Sequence, residues 1–217
     1  VSVDGDFVHR GQLCCPACAA DRHMPVRPLL GYAGLLVLAA LWLLPLGDWA
    51  GADFPHHMLR HMGLVAIVTP LLVLGFPNAT RPFALSPLVG AAVEFAVVWG
   101  WHLPGLHGWA DGGGAGLVFE QGSFAIAGLL VWAGALRAEQ PLAGAGGLLL
   151  TSMHMTLLGA LIILAPRDLY AEICGRAPDL DAQQLGGLLM LGIGTPVYLV
   201  AGLALVARAL DDKGELA

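Results

Sequence analysis

Three histidines and two methionines stand within the seven residues HHMLRHM, directly before the uncharged run GLVAIVTPLLVLGF. His57 and His61 are four residues apart, so on a helix they share one face and can hold one ion between them. Met58 and Met62 add thioethers to the same segment. Imidazole and thioether together favour copper, because Cu(I) prefers soft sulfur ligands. The segment therefore predicts a copper site at the end of an apolar helix.

Further ligand-type side chains stand at the ends of other apolar runs or inside them. His102 lies in WGWHLPGLHGW, and Glu120 opens a polar break in FEQGSFAIAGLLVW. His154 falls near the middle of an apolar run, where an ionisable side chain is costly and indicates a function; Glu94 is equally deep in another. The ligands that we predict for one metal site are His57, His61, His102, His154, Met58, Met62 and Glu120.

The same residue types also have structural interpretations. A single histidine at a helix end usually bonds to a carbonyl or to water, and we interpret His9, His56 and His107 in this way. Methionine is a common packing residue, and Glu94 can bond to a neighbouring helix. Several histidines together are harder to explain structurally, because buried polar groups in lipid need partners.

The composition places these ligands in a membrane. Hydrophobic residues make up 57% of the 217 residues and charged residues 12%, with a mean hydropathy of +0.74. A membrane-spanning helix needs roughly 20 apolar residues. Six stretches approach this length: Leu29–Leu46, His57–Phe76, Pro87–Leu103, Leu117–Leu136, Gly146–Ala165 and Leu185–Ala207. We predict an all-α polytopic membrane bundle of about six transmembrane helices at 29–210, with tails at 1–28 and 211–217.

The basic residues indicate an orientation. In a six-span chain, seven Arg and Lys residues fall on the side of the termini and three on the other side. Because cytoplasmic loops are enriched in Lys and Arg, both termini are expected in the cytoplasm of a bacterium, with the chain crossing its inner membrane several times. His57, His61, His102 and Glu120 then meet near the outer face. The net charge of −6, without a basic cluster, argues against a nucleic-acid partner.

A second cluster of soft ligands stands in the N-terminal tail, in VHRGQLCCPACAADRHM. Cys15 and Cys18 have the spacing that lets two thiolates reach one metal. Haem c attachment is excluded, because Ala19 rather than His follows Cys18. A disordered tail is the alternative, and Cys174 is interpreted as incidental. The ligands predicted for this second metal site are Cys14, Cys15, Cys18 and His23.

Five segments stand in order over residues 50 to 208: HHMLRHMGLVAIVTPLLVLG, WHLPGLHGWA, FEQGSFAIAGLLVW, SMHMTLLGALIILAPRDLYA and QQLGGLLM. Together they resemble the CtaG-type family of cytochrome c oxidase assembly proteins. The resemblance implies a membrane protein that helps a haem-copper oxidase to acquire copper or to mature, with oxidase subunits as partners. The positions that match the family's histidines are His57, His61, His102 and His154.

The chain departs from the family pattern at several positions. Gln121 follows Glu120 where the family often has His, which removes one ligand, and Ala182 precedes Gln183 where Asp is usual. The last helix reads LLMLGIGTP where the family usually has an LMWVPG-like run. These departures leave the predicted fold intact and bear on the completeness of the metal site.

Other functions stay open. Paired histidines on neighbouring helices also hold haem b, so a bis-His haem protein of electron transfer is the main alternative. A non-catalytic accessory subunit of an oxidase is another, and a homo-oligomer is compatible with each. The sequence lacks a nucleophile–base pair, a phosphate loop and a dinucleotide fingerprint, so we predict a non-enzymatic protein. The prediction is an assembly factor that holds copper for an oxidase, in which His61→Ala lowers bound copper.

Overall fold

The computed structural model describes residues 26–45 and 53–214, and these ranges contain no strand. Seven α-helices make up most of them, which confirms the predicted all-α class. The second metal site, predicted on Cys14, Cys15, Cys18 and His23, lies outside the described residues. The helices are α1 (Val26–Leu43), α2 (Asp53–Gly75), α3 (Pro87–Trp101), α4 (Pro104–Asp111), α5 (Gly114–Leu136), α6 (Pro141–Leu164) and α7 (Leu180–Gly214).

Four helices of the described ranges, α2, α5, α6 and α7, are long and apolar enough to cross a membrane. Helices α1 and α3 are apolar but shorter. Each of the six predicted apolar stretches overlaps one of these six helices, whereas the number of crossings and the orientation stay predictions. Helix α4 lies within the predicted connection between the third and fourth stretches.

Proline and glycine set the boundaries around the short helix α4. Pro87, Pro104 and Pro141 stand at the first position of α3, α4 and α6, where the missing N–H has no helical partner to lose. Gly113 and Gly114 follow α4 with φ of 73° and 59°, a conformation that favours glycine. The chain therefore folds back after α3, forms α4 across the end of the bundle, and turns sharply into α5.

Helix α2 contains a π-helical turn over Gly63–Val68. Across this turn the N–H of Thr69 donates to the carbonyl oxygen of Leu64 instead of that of Val65. The next residue, Pro70, has no N–H to offer. The carbonyl oxygen of Val65 consequently loses its backbone donor inside an apolar helix, where an unpaired polar group is costly.

Side chains of α2 and α5 supply the missing donors, and a hydroxyl of α7 lies close by. The Thr69 hydroxyl lies 2.7 Å from the Val65 oxygen, the Trp132 indole N–H 2.8 Å and the Tyr198 hydroxyl 3.3 Å. The Tyr198 hydroxyl also lies 2.7 Å from Oε1 of Glu94, and both side chains are buried. This network joins α2, α3, α5 and α7, so the deep Glu94 serves as a bond between helices.

Removing the Tyr198 hydroxyl is expected to destabilise the bundle. Tyr198→Phe leaves Oε1 of buried Glu94 without its donor, at a cost of about 1–2 kcal/mol in the free energy of unfolding. Denaturation of the detergent-solubilised protein, followed by the loss of helical circular dichroism, measures the change. Tyr32→Phe is the matched control, because the Tyr32 side chain is 62% exposed. Equal midpoints for the two variants would contradict this role of Tyr198.

Candidate metal centre

Most of the predicted ligands lie at the end of the bundle where α2 begins, α3 ends and α5 begins. His57 and His61 lie in the first turns of α2, His102 directly follows α3, and Glu120 lies in the second turn of α5. The segment between α6 and α7 closes over this end, where the Tyr170 hydroxyl donates to the carbonyl oxygen of His102 at 3.1 Å. The fold thus brings together residues that are far apart in sequence.

His57, His107 and Glu120 form what we call the buried triad, in which His107 and Glu120 are buried and His57 is partly exposed. One ligand atom of each residue lies within 4.8 Å of the other two. His57 Nε2 is 3.5 Å from Glu120 Oε1, and the rings of His57 and His107 have centroids 4.8 Å apart. Two imidazoles and one carboxylate can occupy three positions around a copper or zinc ion and leave a fourth open.

The polar atoms of the buried triad are oriented but incompletely paired. Gln121 donates from Nε2 to Oε2 of Glu120 at 3.1 Å, which leaves Oε1 facing His57. Within the described ranges, neither Glu120 Oε1 nor His107 Nδ1 has a hydrogen-bond partner. Buried polar atoms normally have partners, so these atoms fit a bound cation. The contact between His57 and Glu120 becomes an ion pair when His57 is protonated, and a metal ion would compete with that proton.

His61 and His102 form a second pair, one turn further along α2. Their ring centroids are 5.5 Å apart, and the His61 ring stacks on Phe124 at 4.0 Å. His102 Nδ1 lies 2.7 Å from the carbonyl oxygen of Val98, so it carries the proton and Nε2 keeps a lone pair. That Nε2 and both nitrogens of His61 lack partners among residues 26–45 and 53–214. A backbone bond that fixes the tautomer is typical of metal-binding histidines.

The remaining predicted ligands have other neighbours. Met58 and Met62 are fully buried, and Met58 packs against Gly186 of α7. His154 lies in the middle of α6, with its ring edge-on to Phe95 at 5.4 Å between centroids. His154 belongs to neither group of three clustered His, Cys, Asp or Glu ligands in the described part of the chain. Metal binding by these three residues stays a prediction, as it does for the other predicted ligands.

His107 is the candidate ligand that the interfacial interpretation missed. Its side chain is 2% exposed, with the Tyr170 ring 4.3 Å away and the Phe54 ring 5.6 Å away between centroids. The sequence feature that could have predicted its burial is the position of His107 five residues after His102, because Pro104 between them starts a new helix. A chain that folds back at this proline returns His107 to the bundle end, where it is buried rather than interfacial.

A partly open cavity of about 310 Å³ lies beside the buried triad. His57 lines it, and so does the Gln121 side chain that orients Glu120. The cavity reaches the triad at His57, and neither His107 nor Glu120 lines it. Its other ionisable lining residues are Asp53, His56, Arg60 and Asp111.

The burial of His107 makes the stability of the fold depend on pH. Burial, and then the nearby His102 and Arg176, lower the pKa of His107 to about 3, while Asp168 opposes the shift. An unfolded histidine has a pKa of about 6.5, so the unfolded chain takes up this proton first as the pH falls. Stability is therefore expected to decline from about pH 6.5 towards pH 3, by up to about 1.4 kcal/mol per pH unit for this one group.

Denaturation midpoints between about pH 7 and pH 4 measure this dependence in wild type and in His107→Gln. The variant lacks the imidazole, so its stability should fall less steeply with acid than that of the wild type. Parallel pH profiles would show that His107 contributes nothing to the acid sensitivity.

These features define an all-helical membrane-type bundle with a histidine and carboxylate cluster at one end. The chain matches the family model described as cytochrome c oxidase caa3 assembly factor (Caa3_CtaG) over residues 17–212, nearly its whole length. It belongs to this family, which confirms the resemblance found in the sequence. Searches of curated proteins and of solved structures gave no match.

Proposed function

We propose that the protein holds a copper ion in the buried triad and passes it to a subunit of cytochrome c oxidase during assembly. The supporting observation is the approach of His57, His107 and Glu120, from α2, α4 and α5, to within 4.8 Å of one another. An assembly factor of an oxidase that contains copper would need such a site. The family supports a role in oxidase assembly, and the ligands suggest what is carried.

The ligand set suits a transient cargo. Imidazole binds copper well, and the carboxylate of Glu120 supplies negative charge. A site of this kind binds copper less tightly than a site of several thiolates. Three protein ligands leave one position open, through which a ligand of the acceptor subunit could attack and remove the ion. The pair His61 and His102 lies one turn deeper and offers further nitrogen ligands beside the same site.

The proposal places this end of the bundle at the outer face of a bacterial inner membrane. Four long apolar helices support a membrane location, and the distribution of basic residues supports the orientation. Copper would then be received and delivered on the side where the cavity beside His57 opens.

Elemental analysis and an optical spectrum of the detergent-purified protein test the proposal. The test protein carries Cys14→Ser, Cys15→Ser and Cys18→Ser, so that the N-terminal thiols hold no metal. We expect about one copper per chain, as one three-ligand site predicts, and no Soret band. A Soret band would instead support the bis-His haem alternative. Stable co-purification with an oxidase and no metal would support the accessory subunit and overturn the proposal.

A further inference from the structure

His107 also belongs to a second group of metal-ligating side chains, which we call the surface triad. Its members are His107, Asp111 and Cys174, and one ligand atom of each lies within 4.8 Å of the other two. His107 and Asp111 are four residues apart on α4, so they share one face of that helix. Cys174, which the sequence alone led us to interpret as incidental, comes from the segment between α6 and α7.

The segment that carries Cys174 is held in place by its own hydrogen bonds. Asp168 accepts from the N–H groups of Tyr170 and Ala171 through Oδ1, and from the N–H of Asp179 through Oδ2, at 2.8 to 3.0 Å. The N–H of Cys174 donates to the carbonyl oxygen of Tyr170 at 2.9 Å. The Cys174 thiol therefore lies in a loop that is held by internal hydrogen bonds.

A close approach between two elements brings this loop onto α4. Gly108, next to His107, faces the Ile173 side chain so closely that a Cβ at Gly108 would collide with it. Ile173 precedes Cys174 in sequence, so the contact between Gly108 and Ile173 holds the loop that carries the thiol against α4. A larger residue at 108 would separate the two elements.

The members of the surface triad differ in exposure. Asp111 is exposed, Cys174 is half-buried and His107 is buried. The Nδ1 atom of His107 has no hydrogen-bond partner within the described ranges, so it is free to bind a ligand. Asp111 and His57, one from each triad, line the same cavity. An ion could thus move from exposed to buried ligands without leaving His107.

We propose that the surface triad is an entry subsite for Cu(I), from which the ion passes through His107 into the buried triad. The proposal rests on the copper-carrying function above and adds the route of loading. A thiolate favours Cu(I) over the harder cations that a carboxylate alone would attract, so Cys174 selects the ion at the surface. The shared imidazole keeps one bond to the ion while the other ligands change.

The transfer is a ligand exchange without any change of oxidation state. When the bond between Cu(I) and sulfur forms, the Cys174 thiol releases its proton to water. When Glu120 and His57 bind the ion, the bond to sulfur breaks and the thiolate takes a proton back from water. The net result is the movement of one ion from the surface to the buried triad.

Protection of Cys174 from alkylation tests the surface triad. The starting variant carries Cys14→Ser, Cys15→Ser and Cys18→Ser, which leaves Cys174 as the single cysteine, together with His57→Ala, which keeps the ion at the surface. One equivalent of Cu(I), added under anaerobic reducing conditions, should slow the reaction of Cys174 with a maleimide about tenfold or more, as expected for a ligated thiol.

Adding His107→Ala or Asp111→Asn to this variant should restore most of the reactivity of Cys174. Adding His56→Ala should not, because His56 lines the same cavity but belongs to neither triad. An unchanged alkylation rate on addition of Cu(I) would overturn the entry subsite. Protection that survives His107→Ala would also overturn it, because it would show binding by an isolated thiol.

The rate of loading tests the transfer itself. The comparison uses the variant that lacks the three N-terminal cysteines but keeps His57. Adding Cys174→Ser to it should leave the final copper content unchanged and slow the loading about tenfold, since one ligand of the route is lost. Equal loading rates would overturn the entry role and leave the buried site standing. A protein that never retains copper, although Cu(I) protects Cys174, would instead refute the proposed function and the transfer together.

Discussion

His107→Ala is expected to abolish copper retention, with a loss of affinity of about 100-fold or more. His107 belongs to both triads, so its removal takes a ligand from each and breaks the route between them. Loss of an outer-sphere partner alone costs about 10–100-fold in metal affinity, and a direct ligand should cost no less. Copper bound per chain after dialysis against a competing chelator measures the effect.

Two further variants separate loss of ligation from loss of folding. Glu120→Gln keeps the size of the side chain but removes the anionic ligand, so it should also lose copper. His56→Ala should retain it, because His56 lines the cavity without belonging to a triad. If His107→Ala retained copper like His56→Ala, the ion would not be held where the structure brings His57, His107 and Glu120 together.

The pattern of HHMLRHM predicted that His57 and His61 share one face of α2, but not which side chains each ring meets. His57 and His61 share a helix face, and yet His57 lies beside Glu120 while His61 lies beside His102 and stacks on Phe124. Spacing within one helix fixes relative direction only. Which partner each ring meets depends on how α3, α4 and α5 pack, which is a property of the whole bundle.

The burial of His107 and the π-helical turn in α2 also could not be predicted from local sequence. The six apolar stretches predicted the helices because about 20 residues of uniform apolarity are visible in any sequence. The burial of His107 depends on α4 folding back over the bundle end. The altered turn at Val65 depends on donors from Trp132 and Tyr198, far away in the chain. Long-range contacts of this kind leave no local pattern.

Gly144→Leu is expected to destabilise the bundle by about 3 kcal/mol or more. Gly144 of α6 lies so close to α5 that a Cβ would collide with the carbonyl oxygen of Ala135, and the Leu205 side chain is also adjacent. Backbone atoms cannot rotate away as a side chain can, so α5 and α6 would have to separate. Small residues at helix interfaces allow such close approach in membrane proteins.

Gly146→Leu is the matched control, two residues along the same helix. A Cβ there meets nothing within 4 Å and the position is exposed, so leucine should be tolerated and should gain about 0.5–1 kcal/mol in helix propensity over glycine. Denaturation in detergent, followed by helical circular dichroism, should therefore shift in opposite directions for the two variants. Equal shifts would mean that close contact between α5 and α6 does not limit stability.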